Sequence, residues 1–190
     1  MNLPNLITVF RLLLIPVFVI FLLENKSTLA LITFVLAGVS DALDGFLARV
    51  LKQKTLFGAY VDPVADKLLL ATSFVTLAIM GRLPGWVAVV VVSRDVIIMV
   101  GIGILMLNNR PMTIKPTYDS KITTFVQLIT VCFVLSSNYL TDYRFLNTPF
   151  IMATALCTIV SGFHYLYIGF HILGRPDQEP TGGNRIDNRQ

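Results

Sequence analysis

Six apolar runs, each about the length of a bilayer-spanning helix, constrain this chain more than any other feature. They are Leu6–Leu23, Leu29–Ala48, Val61–Met80, Trp86–Leu107, Thr124–Leu140 and Phe150–Leu173. A helix needs about 20 predominantly apolar residues to cross the hydrocarbon. The separators are short and polar: Glu24-Asn25-Lys26-Ser27, Lys52-Gln53-Lys54, Gly81–Gly85, Asn108–Lys121 and Asp142-Tyr143-Arg144. With 190 residues, 55% of them apolar and 14% charged, the runs leave almost no material for a soluble domain. Soluble domains carry about 25% charged residues, and a globule this small cannot bury so much apolar side chain. A disordered chain, a coiled coil and a disulfide scaffold are excluded by the same figures. Cys132 and Cys157 both fall inside apolar runs and read as small apolar fillers, not as a disulfide or zinc ligands. The expected fold is an all-α polytopic membrane protein: a six-transmembrane-helix bundle over residues 1–173, with a cavity open to the cytoplasm. The polar tail 174–190 reads as disordered and cytoplasmic.

Orientation follows the cations. Nine lie after the second and fourth runs and in the tail (Arg49, Lys52, Lys54, Arg110, Lys115, Lys121, Arg175, Arg185, Arg189), against three after the first, third and fifth (Lys26, Arg82, Arg144). Six spans then put both termini on the cytoplasmic side. Arg11, Lys67 and Arg94 remain inside spans. The first run contains Arg11, lacks a basic leader and is followed by Glu24-Asn25-Lys26, so it is expected to be a retained span. Residues 1–8 read as a short amphipathic lead at the interface. No repeat relates the first three spans to the last three. A bacterial plasma membrane is the expected location.

Charged groups at bilayer depth cost about 2.5–3.5 kcal/mol each on insertion scales, which makes them functional by default. Asp41 and Asp44 are spaced i, i+3, and Asp62 and Asp66 i, i+4, so each pair shares one helix face. The short connection Val50–Phe57 makes the two helices antiparallel neighbours and brings both pairs to the cytoplasmic end of one hairpin. Four converging carboxylates call for neutralisation. Protonation would do this, and so would divalent metal, for which an all-oxygen donor set suits Mg²⁺, Mn²⁺ or Ca²⁺. Gly45 allows close approach of a ligand to the backbone, Ala48 keeps that face low, and Gly58 lies one turn before Asp62. Arg49 supplies a planar fork suited to phosphate. A salt-bridge network with Lys67 and Arg49 would leave four acids against two bases. A cation transporter would also place acids in a bundle, but repeats and broken helices are not evident.

The stretch reads Asp41-x-x-Asp44-Gly45-x-x-Ala48-Arg49-(eight residues)-Gly58-x-x-x-Asp62-x-x-x-Asp66. It resembles the signature of the CDP-alcohol phosphatidyltransferases at every defined position. The six-span layout over residues 1–173 and the Pro4-Asn5…Arg11 opening look like that family too. The resemblance implies transfer of a phosphatidyl group from a CDP-linked donor, CDP-diacylglycerol, to an alcohol with release of CMP. It further implies that Asp41, Asp44, Asp62 and Asp66 hold two divalent ions, Mg²⁺ or Mn²⁺, on the donor diphosphate. Gly45, Ala48, Arg49 and Gly58 would line the CDP-donor pocket, and Asp66 would be the general base. Homodimer formation is implied by the resemblance alone. Lipid is the expected surrounding, and no nucleic-acid partner is expected.

On the acceptor side lie Arg94 and Asp95, then Lys115 and Lys121. Their cations suit a phosphate-bearing acceptor, although Arg94–Asp95 also reads as a buried pair and the lysines as interfacial anchors. The Ser93-Arg94-Asp95 and Lys115–Leu128 (KPTYDSKITTFVQL) stretches look more like the cardiolipin synthases of the family than its phosphatidylglycerophosphate synthases. The latter usually show Arg-Glu in place of Arg94-Asp95 and a further arginine where this chain has Ile102. Phosphatidylglycerol is therefore the expected acceptor, with glycerol-3-phosphate the alternative. Arg11 is expected either to face the pocket or to pair with an acid such as Asp66. His164 and His171 are expected to be packing or interfacial groups, and Gly101 and Gly103 close-packing points between helices.

Overall fold

In a computed structural model, the structure describes residues 3–50, 56–107, 118–136 and 147–173, with side chains at 7–41, 43, 64–101, 103, 119–136 and 148–169. These residues form six helices and no strand: α1 Leu3–Leu23, α2 Ser27–Val50, α3 Leu56–Ile79, α4 Gly85–Leu107, α5 Tyr118–Ser136 and α6 Asn147–Leu173. Each apolar run has its helix. The boundaries differ most at α5, which starts six residues before the apolar run does. Its polar first turns stay helical because Asp119 sits in the first turn, where a carboxylate complements the helix dipole. Thr123 Oγ1 then donates back to the Asp119 carbonyl at 2.8 Å. The expected lead at residues 1–8 is likewise helix from Leu3 onward, with Pro4 in the first turn where a missing N–H costs nothing.

Two tight turns close helices α1 and α3 in the same way. Asn25 (φ 60°) and Gly81 (φ 69°) take up the left-handed conformation. The residue after each bonds back into the helix, Lys26 N–H to the Phe21 carbonyl at 2.9 Å and Arg82 N–H to the Leu77 carbonyl at 2.9 Å. This satisfies carbonyls that a helix end leaves open. Arg82 ties the two turns together, donating to Ser27 Oγ at 2.8 Å and Asn25 Oδ1 at 3.1 Å.

Helix contacts close into a ring in the order α1, α2, α5, α6, α4, α3. Consecutive helices α2 and α3 meet narrowly among the described residues, and α1 is the main partner of both. Phe18, Phe34, Phe74, Leu77, Val87, Val91, Val134 and Leu135 fill the centre, with the Phe18 and Phe34 rings 5.7 Å apart. The outer surface is apolar as well: Leu13, Ile79, Val89, Phe125, Leu156 and Phe163 are each more than 60% exposed. So extensive an apolar exterior marks contact with lipid or partners, not water. Two helices are long and apolar enough to cross a bilayer by composition, at Asp119–Ser136 and Thr148–Gly169; Ile7–Leu23 and Ser27–Asp41 are shorter apolar helices. A Cβ at Gly101 or Gly103 would meet nothing within 4 Å. Among the described residues neither glycine is therefore a point of close approach between helices, which leaves the expected packing role to a seam with a second copy.

Candidate active site

The signature lies at one end of the bundle. Asp41, Asp44, Gly45, Ala48 and Arg49 occupy the last turns of α2, and Gly58, Asp62 and Asp66 the first turns of α3. Helical backbone at all eight positions keeps the i, i+3 and i, i+4 spacings meaningful. The side chains of Asp44, Gly45, Ala48, Arg49, Gly58 and Asp62 lie outside the described residues, as does Lys115 altogether. Of the acidic quartet, Asp41 and Asp66 are described.

Arg11 is 1% exposed and forms an ion pair through Nη1 with Oδ1 of the half-exposed Asp41. Of the two expectations for Arg11, the acid it meets is Asp41; a guanidinium entering from α1 reaches α2 because those helices pack on each other. Asp66 is half-buried and within electrostatic reach of Asp41, Lys67, Arg11 and Asp95. Cations thus stand beside both described acids, and the layer carries its own partial neutralisation.

The acceptor-side residues form a second group at the same level. Lys67 Nζ donates to Asp95 Oδ1 at 3.0 Å, and Arg94 Nη1 to the same oxygen at 2.7 Å. Arg94 Nη2 donates to Ser120 Oγ at 2.9 Å and Ser161 Oγ at 2.7 Å. The guanidinium lies 5.8 Å from the centre of the Tyr165 ring, within cation–π range. Arg94 and Asp95 are buried, and Lys121 is exposed. Arg94 therefore spends both terminal nitrogens on protein groups. His164 Nδ1 pairs with Asp119 Oδ2, bridging α6 to α5 with both side chains about half exposed. Of the packing and interfacial roles expected of His164, this half-exposed ion pair fits the interfacial one; the residue sits three beyond Ser161, on the face of α6 turned toward α5. The side chain of His171 lies outside the described residues.

Sequence reasoning missed a neutral polar seam between α5 and α6. Thr130 and Thr154 share a hydrogen bond at 2.7 Å, Gln127 Nε2 donates to Thr158 Oγ1 at 3.1 Å, and Thr123 Oγ1 to the Cys157 carbonyl at 3.2 Å. All of these side chains except Cys157 are buried. The signal was available as Thr123-Gln127-Thr130 and Thr154-Thr158-Ser161, each at i, i+4, i+7 on an otherwise apolar helix. Such stripes hydrogen-bond across helices in membrane bundles.

Among the described residues, no group of three or more His, Cys, Asp or Glu side chains could hold a metal ion. The donor chemistry nonetheless fits a hard divalent cation. Asp41 of α2 and Asp66 of α3 are electrostatic neighbours and offer carboxylate oxygens, the donors such a cation takes.

The family model of the CDP-alcohol phosphatidyltransferases matches residues 1–161. The chain is 34% identical to a probable phosphatidylglycerophosphate synthase of Mycobacterium tuberculosis, over 87% of this chain and 80% of that protein. It is 36% identical to the CDP-diacylglycerol–glycerol-3-phosphate 3-phosphatidyltransferase of Pseudomonas fluorescens, over 87% and 89%. Against the CMP-forming cardiolipin synthase of Rattus norvegicus the identity is 32%, over 88% of this chain and 61% of the relative. The family is membrane-associated and generally depends on divalent metal. With the signature at the mouth of a six-helix ring and a family match over most of its length, the chain belongs to the CDP-alcohol phosphatidyltransferase family and is an enzyme of that class.

Proposed function

We propose that this enzyme transfers the phosphatidyl group of CDP-diacylglycerol to phosphatidylglycerol, forming cardiolipin and CMP. The observation that carries the acceptor assignment is the Arg94–Ser120 hydrogen bond at 2.9 Å. It joins the two stretches, Ser93-Arg94-Asp95 and Lys115–Leu128, whose residues resemble cardiolipin synthases. Two separate sequence likenesses thus meet at one place beside the signature. Glycerol-3-phosphate is the second reading. It is favoured by the relatives named for that acceptor, which this chain covers over more of their own length than the rat cardiolipin synthase.

In this reading Asp41, Asp44, Asp62 and Asp66 hold the metal ions, and Gly45, Ala48, Arg49 and Gly58 take the CDP moiety. Divalent ions bound there would stabilise charge on the diphosphate and on the departing CMP. Asp66 accepts the proton of the acceptor hydroxyl as its oxygen attacks the β-phosphorus, the one bearing diacylglycerol. The bond from that phosphorus to the oxygen shared with CMP breaks, and its electron pair leaves with CMP. No side chain is acylated or phosphorylated. Lys121, with Lys115, presents positive charge to the acceptor phosphate, while Arg94 and Asp95 frame that side of the site.

The six helices are read as six spans with both termini cytoplasmic, in a bacterial plasma membrane. The apolar exterior and the cation bias of the loops support this. A site at the cytoplasmic end lets both lipids react with their acyl chains still in the bilayer. The test is turnover by purified protein in liposomes with CDP-diacylglycerol and Mg²⁺ or Mn²⁺. Phosphatidylglycerol and glycerol-3-phosphate are offered in parallel and the products separated by chromatography. Cardiolipin as the product confirms the assignment. Product from glycerol-3-phosphate alone replaces it with the second reading.

A further inference from the structure

Lys67 directly follows Asp66, so on a helix advancing about 100° per residue the two side chains leave α3 in different directions. The Lys67 ammonium reaches α4 and donates to Asp95 Oδ1 at 3.0 Å. That oxygen is also held by Arg94 at 2.7 Å, and Arg94 is anchored on Ser120 of α5 and Ser161 of α6. One run of side chains therefore links α3 to three other helices. Asp66 meanwhile has Asp41 of α2, Lys67 itself, Arg11 of α1 and Asp95 of α4 as electrostatic neighbours. Resting on the reading of Asp66 as general base, we propose that Lys67 is a positioning residue. Through Asp95 and Arg94 it fixes the rotation of α3 and so holds the Asp66 carboxylate in its place among these charges.

The network is poorly built for stability alone. Asp95 Oδ2 and Arg94 Nε are buried with no hydrogen-bond partner among the described residues. Burying Arg94 and Asp95, with Lys67 only partly exposed, costs desolvation that well-packed apolar residues would avoid. What such a group supplies is a fixed register, because Asp95, held in place on α4 by Arg94, gives the Lys67 ammonium one fixed point to reach from α3. Positioning errors of an ångström at a reacting group cost about 100-fold in rate.

The test compares Lys67→Met, Asp95→Asn, the double variant and Lys67→Arg in detergent micelles, each checked for folding by thermal melting. Each single neutralisation should lower kcat by roughly 10- to 100-fold, leaving KM for CDP-diacylglycerol within about twofold, and Lys67→Met should leave the acceptor KM equally unchanged. The double variant should lose little more than the worse single one, and Lys67→Arg should recover most of the rate. Additive losses, or a raised acceptor KM at unchanged kcat, would overturn the proposal. A readout independent of turnover uses Asp66→Cys in a chain with Cys132→Ala and Cys157→Ala. Adding Lys67→Met should change the labelling rate of that thiol by an uncharged reagent, at a pH that ionises the thiol fully, by about threefold or more, since reactivity then follows exposure. Equal rates would contradict it. A wild-type protein that released no CMP would count against the catalytic reading only, and the labelling comparison would still judge the positioning of residue 66.

Discussion

Two polar regions cross this bundle, and they are made of different chemistry. At the signature end, Arg11, Asp41, Asp66, Lys67, Asp95 and Arg94 form a layer of charges that involves α1 to α4. Between α5 and α6, Thr123, Gln127, Thr130, Thr154 and Thr158 form a seam of neutral groups. Both bury polar atoms in an apolar setting. Charges there are far more expensive than hydroxyls, because a hydroxyl can be satisfied by a neighbouring carbonyl within its own helix. Thr158 and Thr130 do this, bonding the Thr154 and Val126 carbonyls at 2.6 and 2.9 Å. The cheaper chemistry is used where two helices hold together, and the expensive one at the signature end, where the proposed function handles phosphate, metal and a proton.

Substitutions at the two regions should therefore separate activity from stability. The largest effect belongs to Asp66→Asn, which keeps the shape and removes the base. CMP release should fall by roughly 10³-fold, within the range general-base loss produces, while the melting temperature in detergent stays close to wild type. Near wild-type turnover would remove Asp66 from catalysis. Arg11→Ala comes next. Asp41 is 41% exposed, so solvent takes up part of the lost pairing. The stability cost should be about 1–2 kcal/mol, below the 3–5 kcal/mol of a fully buried pair. Turnover should drop roughly 10-fold or more as Asp41 loses the group that orients it; an unchanged rate would make the pair purely structural.

How much of this contrast the sequence could show depends on the range of the interactions. The aspartate pairs and their glycines were legible because i, i+3 and i, i+4 spacing is local and survives any arrangement of the helices. Arg94 with Asp95 was legible as a pair for the same reason. Lys67 could not be assigned to Asp95 that way, since the partner lies on another helix and depends on the ring order α1, α2, α5, α6, α4, α3. Chain order and short connections suggest an α2–α3 hairpin but do not disclose that α1 is the main partner of both. The polar start of α5 was lost because hydropathy ends a span where the apolar residues end, while the helix continues through Asp119 and Ser120.

Lys121→Ala sharpens the comparison where the two regions approach each other, at the start of α5. Lys121 is exposed, so folding should be indifferent. Acceptor KM should rise by about 3- to 10-fold, as the loss of one charge-assisted contact predicts, with KM for CDP-diacylglycerol unchanged. Equal rises in both would assign Lys121 to general lipid anchoring. The smallest effect is expected at the seam. Thr130→Val should cost about 0.6 kcal/mol, the average for interhelical hydrogen bonds in membranes, with turnover unaltered in the same liposome assay. A large loss of rate there would show that the neutral seam belongs to the site.

Metal-assisted chemistry at the aspartate quartet is the centre of the proposed function. Purified enzyme in liposomes with CDP-diacylglycerol and phosphatidylglycerol would be stripped with a chelator and CMP release followed as Mg²⁺ or Mn²⁺ is returned. The prediction is no release in chelator, and recovery that saturates with either ion in wild type but not in Asp62→Asn. Turnover that persists in chelator, or recovery in Asp62→Asn indistinguishable from wild type, would contradict it.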